Sequence, residues 1–199
     1  MSAGGPSSIR LVLGSTSRYR AELLRRLCAD FEQRAPGTDE AARAGEAPAL
    51  RAQRLAVAKA AAAAIGLRDA VVIGSDQVAE LDGLILDKPG TAANACAQLA
   101  ASAGRQLQFH TAVCVLDTRS GRRQVHIDLT RVRFRDLDAA EIARYVEREQ
   151  PLDCAGSFKC EGLGISLFEQ IDSHDPTALI GLPLIALARL LRECGMLLP

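Results

Sequence analysis

The sequence predicts an α/β fold, a mixed β-sheet flanked by helices. Three observations lead there. Short runs rich in Val, Ile and Leu alternate with longer segments of helical periodicity, as in sheets covered by crossover helices. Two long segments, Gln106 to Asp117 and Arg122 to Phe134, are separated only by a turn at Ser120-Gly121 and read as an antiparallel pair. The apolar run Val71-Val72-Ile73 ends abruptly in Gly74-Ser75-Asp76. An acid at the carboxyl end of a core strand stands where open α/β sheets bind ligands. It is a poor choice for packing alone, because a buried unpaired charge is costly.

The elements follow in order. Ile9 to Gly14 reads as a first strand and Ser17 to Cys28 as a helix, with Leu23, Leu24 and Leu27 on one face. Phe31 to Ala35 reads as a short strand, and the polar stretch Pro36 to Pro48 as a loop. Leu50 to Ile65 is a helix by propensity, its stripe Leu55, Ala58, Ala62 and Ile65, with Gly66 as its stop. Ala70 to Ser75 is the central strand, and Gln77 to Leu86 a hairpin about Asp82-Gly83. Thr91 caps a helix reaching Ala101, and Asp138 caps another reaching Glu149. Gly156 to Gly164 is a glycine-spaced loop, Ile165 to Ile171 a strand, and Leu182 to Cys194 the last helix.

The chain has 199 residues, 48% hydrophobic and 24% charged, with a formal net charge of +0. That length suits a single domain over 9–199, behind a Gly/Ser/Pro tail over 1–8 that reads as disordered. A chain of this size buries roughly 70% of its unfolded surface. Zero net charge argues against nucleic-acid or membrane adhesion and leaves room for a local basic site. No stretch approaches the about 20 apolar residues of a membrane span. The N-terminus lacks an apolar signal region, so a cytoplasmic location is expected. Cysteines 28, 96, 114, 154, 160 and 194 form no Cys-x-x-Cys pair and read as reduced, mostly buried thiols. His110, His126 and His174 show no nucleophile–base pattern and read as structural.

The first loop, Gly14-Ser15-Thr16-Ser17-Arg18-Tyr19-Arg20, joins strand to helix. With Ser17 as N-cap, Arg18 and Arg20 fall in the first helical turn, the end where the helix dipole disfavours cations. An anion on the free N–H groups reverses that sign, and the Ser15 and Thr16 hydroxyls add donors. The same residues equally describe an ordinary serine cap with solvated arginines. The spacing of a Walker loop is absent. Further along, Asp39-Glu40, Lys59 and Lys88 are each unremarkable alone, whereas Asp76 stands out by its place at the strand end. Together with Arg20 the lysines could offset a triphosphate's charge. Glu40 and Asp76 could share a hard divalent cation, since Mg²⁺ is held by one or two carboxylates plus phosphate oxygens. A metal with a carboxylate base is the usual equipment for attacking a phosphoanhydride with water.

Ser15-x-Ser17-x-x-Arg20, Asp39-Glu40, Lys59, Gly74-Ser75-Asp76, Lys88-Pro89 and Gly181-Leu182-Pro183-Leu184, in this order, resemble the Maf family of nucleotide pyrophosphatases from about Ile9 to Gly195. The resemblance implies a two-lobed mixed α/β fold with a central cleft, of Maf/ITPase-like type. It also implies hydrolysis of a nucleoside triphosphate to monophosphate and pyrophosphate with Mg²⁺ or Mn²⁺, and a homodimer. Asp76 matches the general base; Glu40, Lys59, Lys88, Ser15, Ser17 and Arg20 match phosphate- and metal-handling positions. Tyr19, Gln77 and Glu161, with Cys154-Ala155-Gly156-Ser157-Phe158-Lys159, look like the subgroup acting on 7-methyl-GTP. Arg18 departs from a frequent proline and Tyr19 from a common tryptophan.

Physical chemistry accords with that subgroup. Methylation at N7 makes guanine cationic, and a tyrosine ring over it gains roughly 0.5–2 kcal/mol of cation–π attraction. A carboxylate at position 161 can accept from guanine N1–H and its exocyclic amine. In an extended strand Asp76 and Gln77 point to opposite faces, so for both to reach one ligand a backbone break is expected near Gly74 to Gln77. Two alternatives stay open. One keeps the chemistry with dTTP, UTP or modified pyrimidine nucleotides. The other is a non-catalytic nucleotide-binding regulator of cell division.

Overall fold

A computed structural model describes residues 9–199; the tail expected to be disordered, 1–8, lies outside the described residues. Seven strands form one sheet: β1 (Arg10–Leu13), β2 (Glu32–Gln33), β3 (Ala70–Leu81), β4 (Leu84–Leu86), β5 (Gln106–Asp117), β6 (Arg123–Phe134) and β7 (Phe168–Asp172). Their order is β2-β1-β3-β5-β6-β7, with β4 also on β3. β1 runs parallel to β2 and β3, while the pairs from β3 through β7 are antiparallel. The mixed sheet expected from the sequence is therefore present, with the long hairpin at its centre.

β3 organises the molecule. Its first residues, Ala70 to Ile73, pair with β1, and its last, Ala79 to Leu81, pair with β4. Between them Gly74 to Val78 has no strand partner on that side. On the other side β3 pairs with β5 without interruption from Val71 to Glu80. The expected break near Gly74 to Gln77 is thus absent. Glycine is needed there for a different reason, the close approach of a helix.

That helix is α2 (Pro48–Ala63), which starts with a proline in its first turn, where the missing N–H costs nothing. A Cβ on Gly74 would fall 2.2 Å from the Ala56 carbonyl oxygen and 2.4 Å from the Ala60 nitrogen. A Cβ on Gly14 would fall 2.8 Å from the Ala63 Cβ. Two glycines below and a row of alanines above let α2 lie almost on the backbone of β1 and β3. Its buried face is Ala52, Leu55, Ala56, Lys59, Ala60 and Ala63, not the expected stripe; Ile65 lies beyond the helix and is exposed. The helix is alanine-rich on every side, so hydrophobicity alone does not set its rotation.

The opposite face carries two apolar clusters. One joins Leu11, Leu13, Val71 and Ile73 to α1 (Arg18–Arg25) and α5 (Leu184–Glu193). The other joins Ala79, Leu81, Leu107 and Val132 to α3 (Ala92–Ser102) and α4 (Ala139–Glu149). Four phenylalanines, 109, 134, 158 and 168, pack edge-to-face in this second cluster with centroids 4.7 to 5.7 Å apart. Between the clusters runs a polar seam. Ser75 Oγ donates to the Ala112 and Gly181 carbonyls, and Thr111 Oγ1 donates to Ala178 O. The segment that covers the seam is pinned by Asp175, which accepts from Thr177 N, Thr177 Oγ1 and Ile185 N. Ile165 to Leu167, expected to be strand, belongs to a 3₁₀ turn (Leu163–Leu167) before β7.

Candidate active site

A cavity of about 340 Å³ opens where β3 lacks a partner, between the two apolar clusters. This size suits a small-molecule ligand. Because the cavity meets β3 edge-on, both Asp76 and Gln77 line it although their side chains leave opposite faces of the strand. A second hollow, lined by Ser15, Thr16, Ser17 and Thr38, adjoins it and shares Tyr19, Arg20, Glu40, Lys59 and Lys88.

The close packing of α2 on Gly74 delivers Lys59 to the floor of this cleft. Lys59 Nζ lies 2.6 Å from Asp76 Oδ1 and 2.8 Å from Glu40 Oε1. The Lys59 and Asp76 side chains are only 7% and 9% exposed, whereas Glu40 is 54% exposed. Such a buried pair is held tightly, since removing either partner strands the other charge. Partial burial pushes the Glu40 carboxyl up, but the hydrogen bond and charge of Lys59, aided by Lys88 and Arg20, outweigh it and hold the group below its ordinary range. Asp76 is ion-paired, but the pair faces the cleft beside these other cations instead of being sealed in the interior.

Arg20 projects from the first turn of α1 and folds back, its Nε donating to Gly181 O at 2.9 Å. Burial lowers its pKa, and the negative charges of Asp76 and Glu40 oppose that shift. Ser17 is the N-cap, accepting from Arg20 N at 3.4 Å. Ser15 is buried and its Oγ accepts from Ser17 N at 3.1 Å, which leaves its own proton to donate. Gln33 Nε2 fixes the loop by donating to Ser15 O. Asp39 caps its own turn, Oδ1 accepting from Ala41 N.

Tyr19, Asp153, Cys154, Cys160 and Glu161 gather on the wall beside Phe158. Burial raises the Tyr19 phenol, against the opposing hydrogen bond from Arg18. The Cys154 and Cys160 thiols are pushed up to about 12, chiefly by burial and then by Asp153 and Glu161 respectively. Protonated thiols are weak nucleophiles. Only Cys114 and Cys194 are fully buried, fewer than expected, and the six cysteines are free. Gln77 is engaged elsewhere than in an open position: Nε2 donates to Thr111 Oγ1, Ala178 O and Leu179 O, each at 3.0 Å.

The cleft therefore brings together Ser17, Tyr19, Arg20, Glu40, Lys59, Asp76, Gln77, Lys88 and Glu161, with Ser15 in the adjoining hollow. Sequence reasoning missed Arg51, which lines the cleft and whose Nη2 contacts Asp87 Oδ1 at 3.1 Å. Its place two spacings of four before Lys59, in line with Leu55, was the available signal. It also missed Asp153, which has no motif around it. The carboxylates of Glu40 and Asp76 each engage Lys59 through one oxygen. As hard oxygen donors beside phosphate-sized space they fit a divalent cation completed by substrate and water. Among the described residues no cluster of three or more His, Cys, Asp or Glu side chains could hold a metal unaided. No helix among them is long and apolar enough to cross a membrane.

The model of the family described as Maf-like protein matches residues 10–194. The chain is 60% identical over 191 residues to the 7-methyl-GTP pyrophosphatase of Xanthomonas oryzae pv. oryzae (strain MAFF 311018), covering 96% of this chain and 99% of the relative. It is 55% identical over 189 residues to the protein of the same name from Burkholderia thailandensis, covering 94% and 88%. The Staphylococcus aureus Ham1 protein superposes with a TM-score of 0.51 at 17% identity, over 94% of this chain and 100% of that one, a likeness of fold alone. With the family match spanning nearly all described residues, the chain belongs to the Maf family.

Proposed function

We propose that the chain is a nucleoside triphosphate pyrophosphatase that hydrolyses 7-methyl-GTP to 7-methyl-GMP and pyrophosphate. The observation that carries this reading is one cleft that holds two chemically distinct groups of side chains. Lys59 bridges Asp76 and Glu40, with the cations Arg20 and Lys88 in the same lining, and the aromatic Tyr19 and the acid Glu161 line the cleft with them. The names of the relatives at 55% and 60% identity support the same substrate.

The triphosphate lies along the cationic side chains, where Arg20, Lys59 and Lys88 offset charge and the Ser15 hydroxyl donates. Asp76 takes a proton from water as the water oxygen bonds to the α-phosphorus. The bond from that phosphorus to the oxygen bridging to the β-phosphorus breaks, and pyrophosphate leaves with the electron pair. A divalent cation, Mg²⁺ or Mn²⁺, would be held by Glu40 and Asp76 and would supply charge neutralisation on the phosphates. Tyr19 stacks on the cationic base, and Glu161 accepts from its Watson–Crick edge. Gln77 orders the wall by holding the Ala178 and Leu179 carbonyls.

The test is pyrophosphate release from 7-methyl-GTP, GTP, UTP and dTTP with Mg²⁺ or Mn²⁺. The expected result is fastest turnover of 7-methyl-GTP. Preference for UTP or dTTP would overturn the base assignment, and no release from any nucleotide would favour a binding protein.

A further inference from the structure

Tyr19 has a neighbour that its proposed base-stacking role leaves unused. The Arg18 guanidinium carbon lies 4.7 Å from the Tyr19 ring centroid, and Arg18 Nη2 donates to the Tyr19 hydroxyl at 2.8 Å. Two attachments, one to the ring and one to its polar tip, restrain the side chain more than either could alone. Arg18 lines the hollow beside the cleft together with Asp153, and Tyr19 lines both spaces. We propose that Arg18 is a positioning residue for base recognition: it clamps Tyr19 from one side so that the ring offers a fixed, single face to the base, while Asp153 balances the clamp's charge. This inference rests on the reading that Tyr19 stacks on the base.

Two effects of Arg18 oppose each other. Fixing the ring in advance removes the ordering cost that binding otherwise carries, which helps any base. Its positive charge repels a cationic base, which hurts only the methylated one. The repulsion acts from beyond the ring, near solvent, and is screened over a Debye length of about 8 Å. Asp153 lines the same hollow as Arg18 and Tyr19, so its negative charge partly offsets the guanidinium there. Preorganisation therefore prevails, and Asp153 sets how much the methyl group's charge is favoured.

The chain has no tryptophan and two tyrosines, of which Tyr145 is buried in the second apolar cluster. Tyrosine emission of the Tyr145→Phe chain titrated with 7-methyl-GMP therefore reports on Tyr19, and calorimetric titration of the full chain gives the affinity of the variants that lack it. Arg18→Ala is expected to weaken 7-methyl-GMP about two- to fivefold, the range of an exposed cation–π contact, and Tyr19→Phe, which keeps the ring contact and loses only the hydroxyl attachment, is expected to weaken it less. The double variant should be no weaker than Arg18→Ala alone, because that substitution already removes both attachments. KM for 7-methyl-GTP should rise in Arg18→Ala with kcat within about twofold, a split that general destabilisation would not produce. Asp153→Asn should weaken 7-methyl-GMP and leave GMP unchanged. If Tyr19→Ala weakens binding while Arg18→Ala does not, the clamp is refuted and base stacking stands. If neither changes binding, base stacking itself fails and the clamp falls with it.

Discussion

Gly74 lies so close beneath Ala56 that a Cβ on the glycine would fall 2.2 Å from the Ala56 carbonyl oxygen. The clash is with helix backbone, so no side chain can rotate away to relieve it. Gly74→Ala must lift α2, and with it Lys59, from β3. The expected cost is about 1–3 kcal/mol, as for overpacking elsewhere. Urea denaturation should show the lowered midpoint, and pyrophosphate release should fall further than stability alone explains. Wild-type activity in a folded Gly74→Ala protein would break the link between this packing and the site.

The buried pair of Lys59 and Asp76 separates chemistry from stability. Asp76→Asn keeps the shape but removes the proton acceptor, so turnover should fall about 10²- to 10⁴-fold while 7-methyl-GMP still binds. Lys59→Met leaves Asp76 as a buried unpaired carboxylate and should destabilise by about 3 kcal/mol or more. Thermal melting of both variants, beside their rates, checks the contrast. Near-normal turnover by Asp76→Asn would remove that residue from the role of base.

Much of this arrangement can be read in the residues. Val71-Val72-Ile73 before Gly74-Ser75-Asp76 locates the central strand and the acid at the cleft, and the turn at Ser120-Gly121 marks the long hairpin. Asp138 is an N-cap as expected, with Glu141 completing a capping box. The rotation of α2 was not legible, because alanines on all its sides give periodicity little contrast. Gly14 and Gly74 contain the missing phase, but only once their distance to the helix is known. The uninterrupted β3 was missed for a related reason, since a glycine demanded by packing resembles a glycine that breaks a strand. Arg51 shares the spacing of Leu55 and Lys59 and needed the rotation of α2 to be placed, while Asp153 reaches the cleft through tertiary placement that no local pattern encodes.

Gln77 should behave as a structural wall-tie as much as a base reader. Its amide nitrogen holds Thr111, Ala178 and Leu179 together. Gln77→Glu replaces that donor with a carboxylate oxygen facing carbonyls and should cost about 1–3 kcal/mol. The denaturation midpoint should drop alongside any rise in KM. A change in KM with unaltered stability would show that the tie contributes little.

Asp128 predicts an unusual dependence on pH. Its side chain is buried on β6, Oδ1 has no hydrogen-bond partner, and Asp175 is a charged neighbour. Burial first, and Asp175 next, raise its pKa above the ordinary 3.8, against weaker opposition from His126 and His174. A raised carboxyl favours the folded state while protonated, and that advantage is lost as pH climbs through the folded-state value. Asp128→Asn mimics the protonated form, so it should stabilise at pH 7 by about 1–3 kcal/mol, the cost of an unsatisfied buried group. The gain should vanish well below pH 3.8. Melting temperatures across that range check it, and a gain that persists at low pH would assign the effect to something other than ionisation.

Glu161 should decide between purine and pyrimidine substrates. Its carboxylate lies in the cleft wall near Tyr19, with the Cys160 thiol donating to Oε2 at 3.5 Å. Guanine offers two N–H groups on its Watson–Crick edge, which a carboxylate can accept together, and the methylated base adds a positive charge. Uracil offers one N–H flanked by two carbonyls, which face the same carboxylate unfavourably. Glu161→Gln keeps the size but removes the charge and turns one acceptor into a donor. The expected result is a fall of about tenfold or more in the kcat/KM ratio of 7-methyl-GTP to UTP, since hydrogen bonds to charged groups are worth roughly 1.5–3 kcal/mol. Competition of the two nucleotides in one reaction measures that ratio directly. An unchanged ratio would move base discrimination away from Glu161 and leave Tyr19 to supply it through stacking alone.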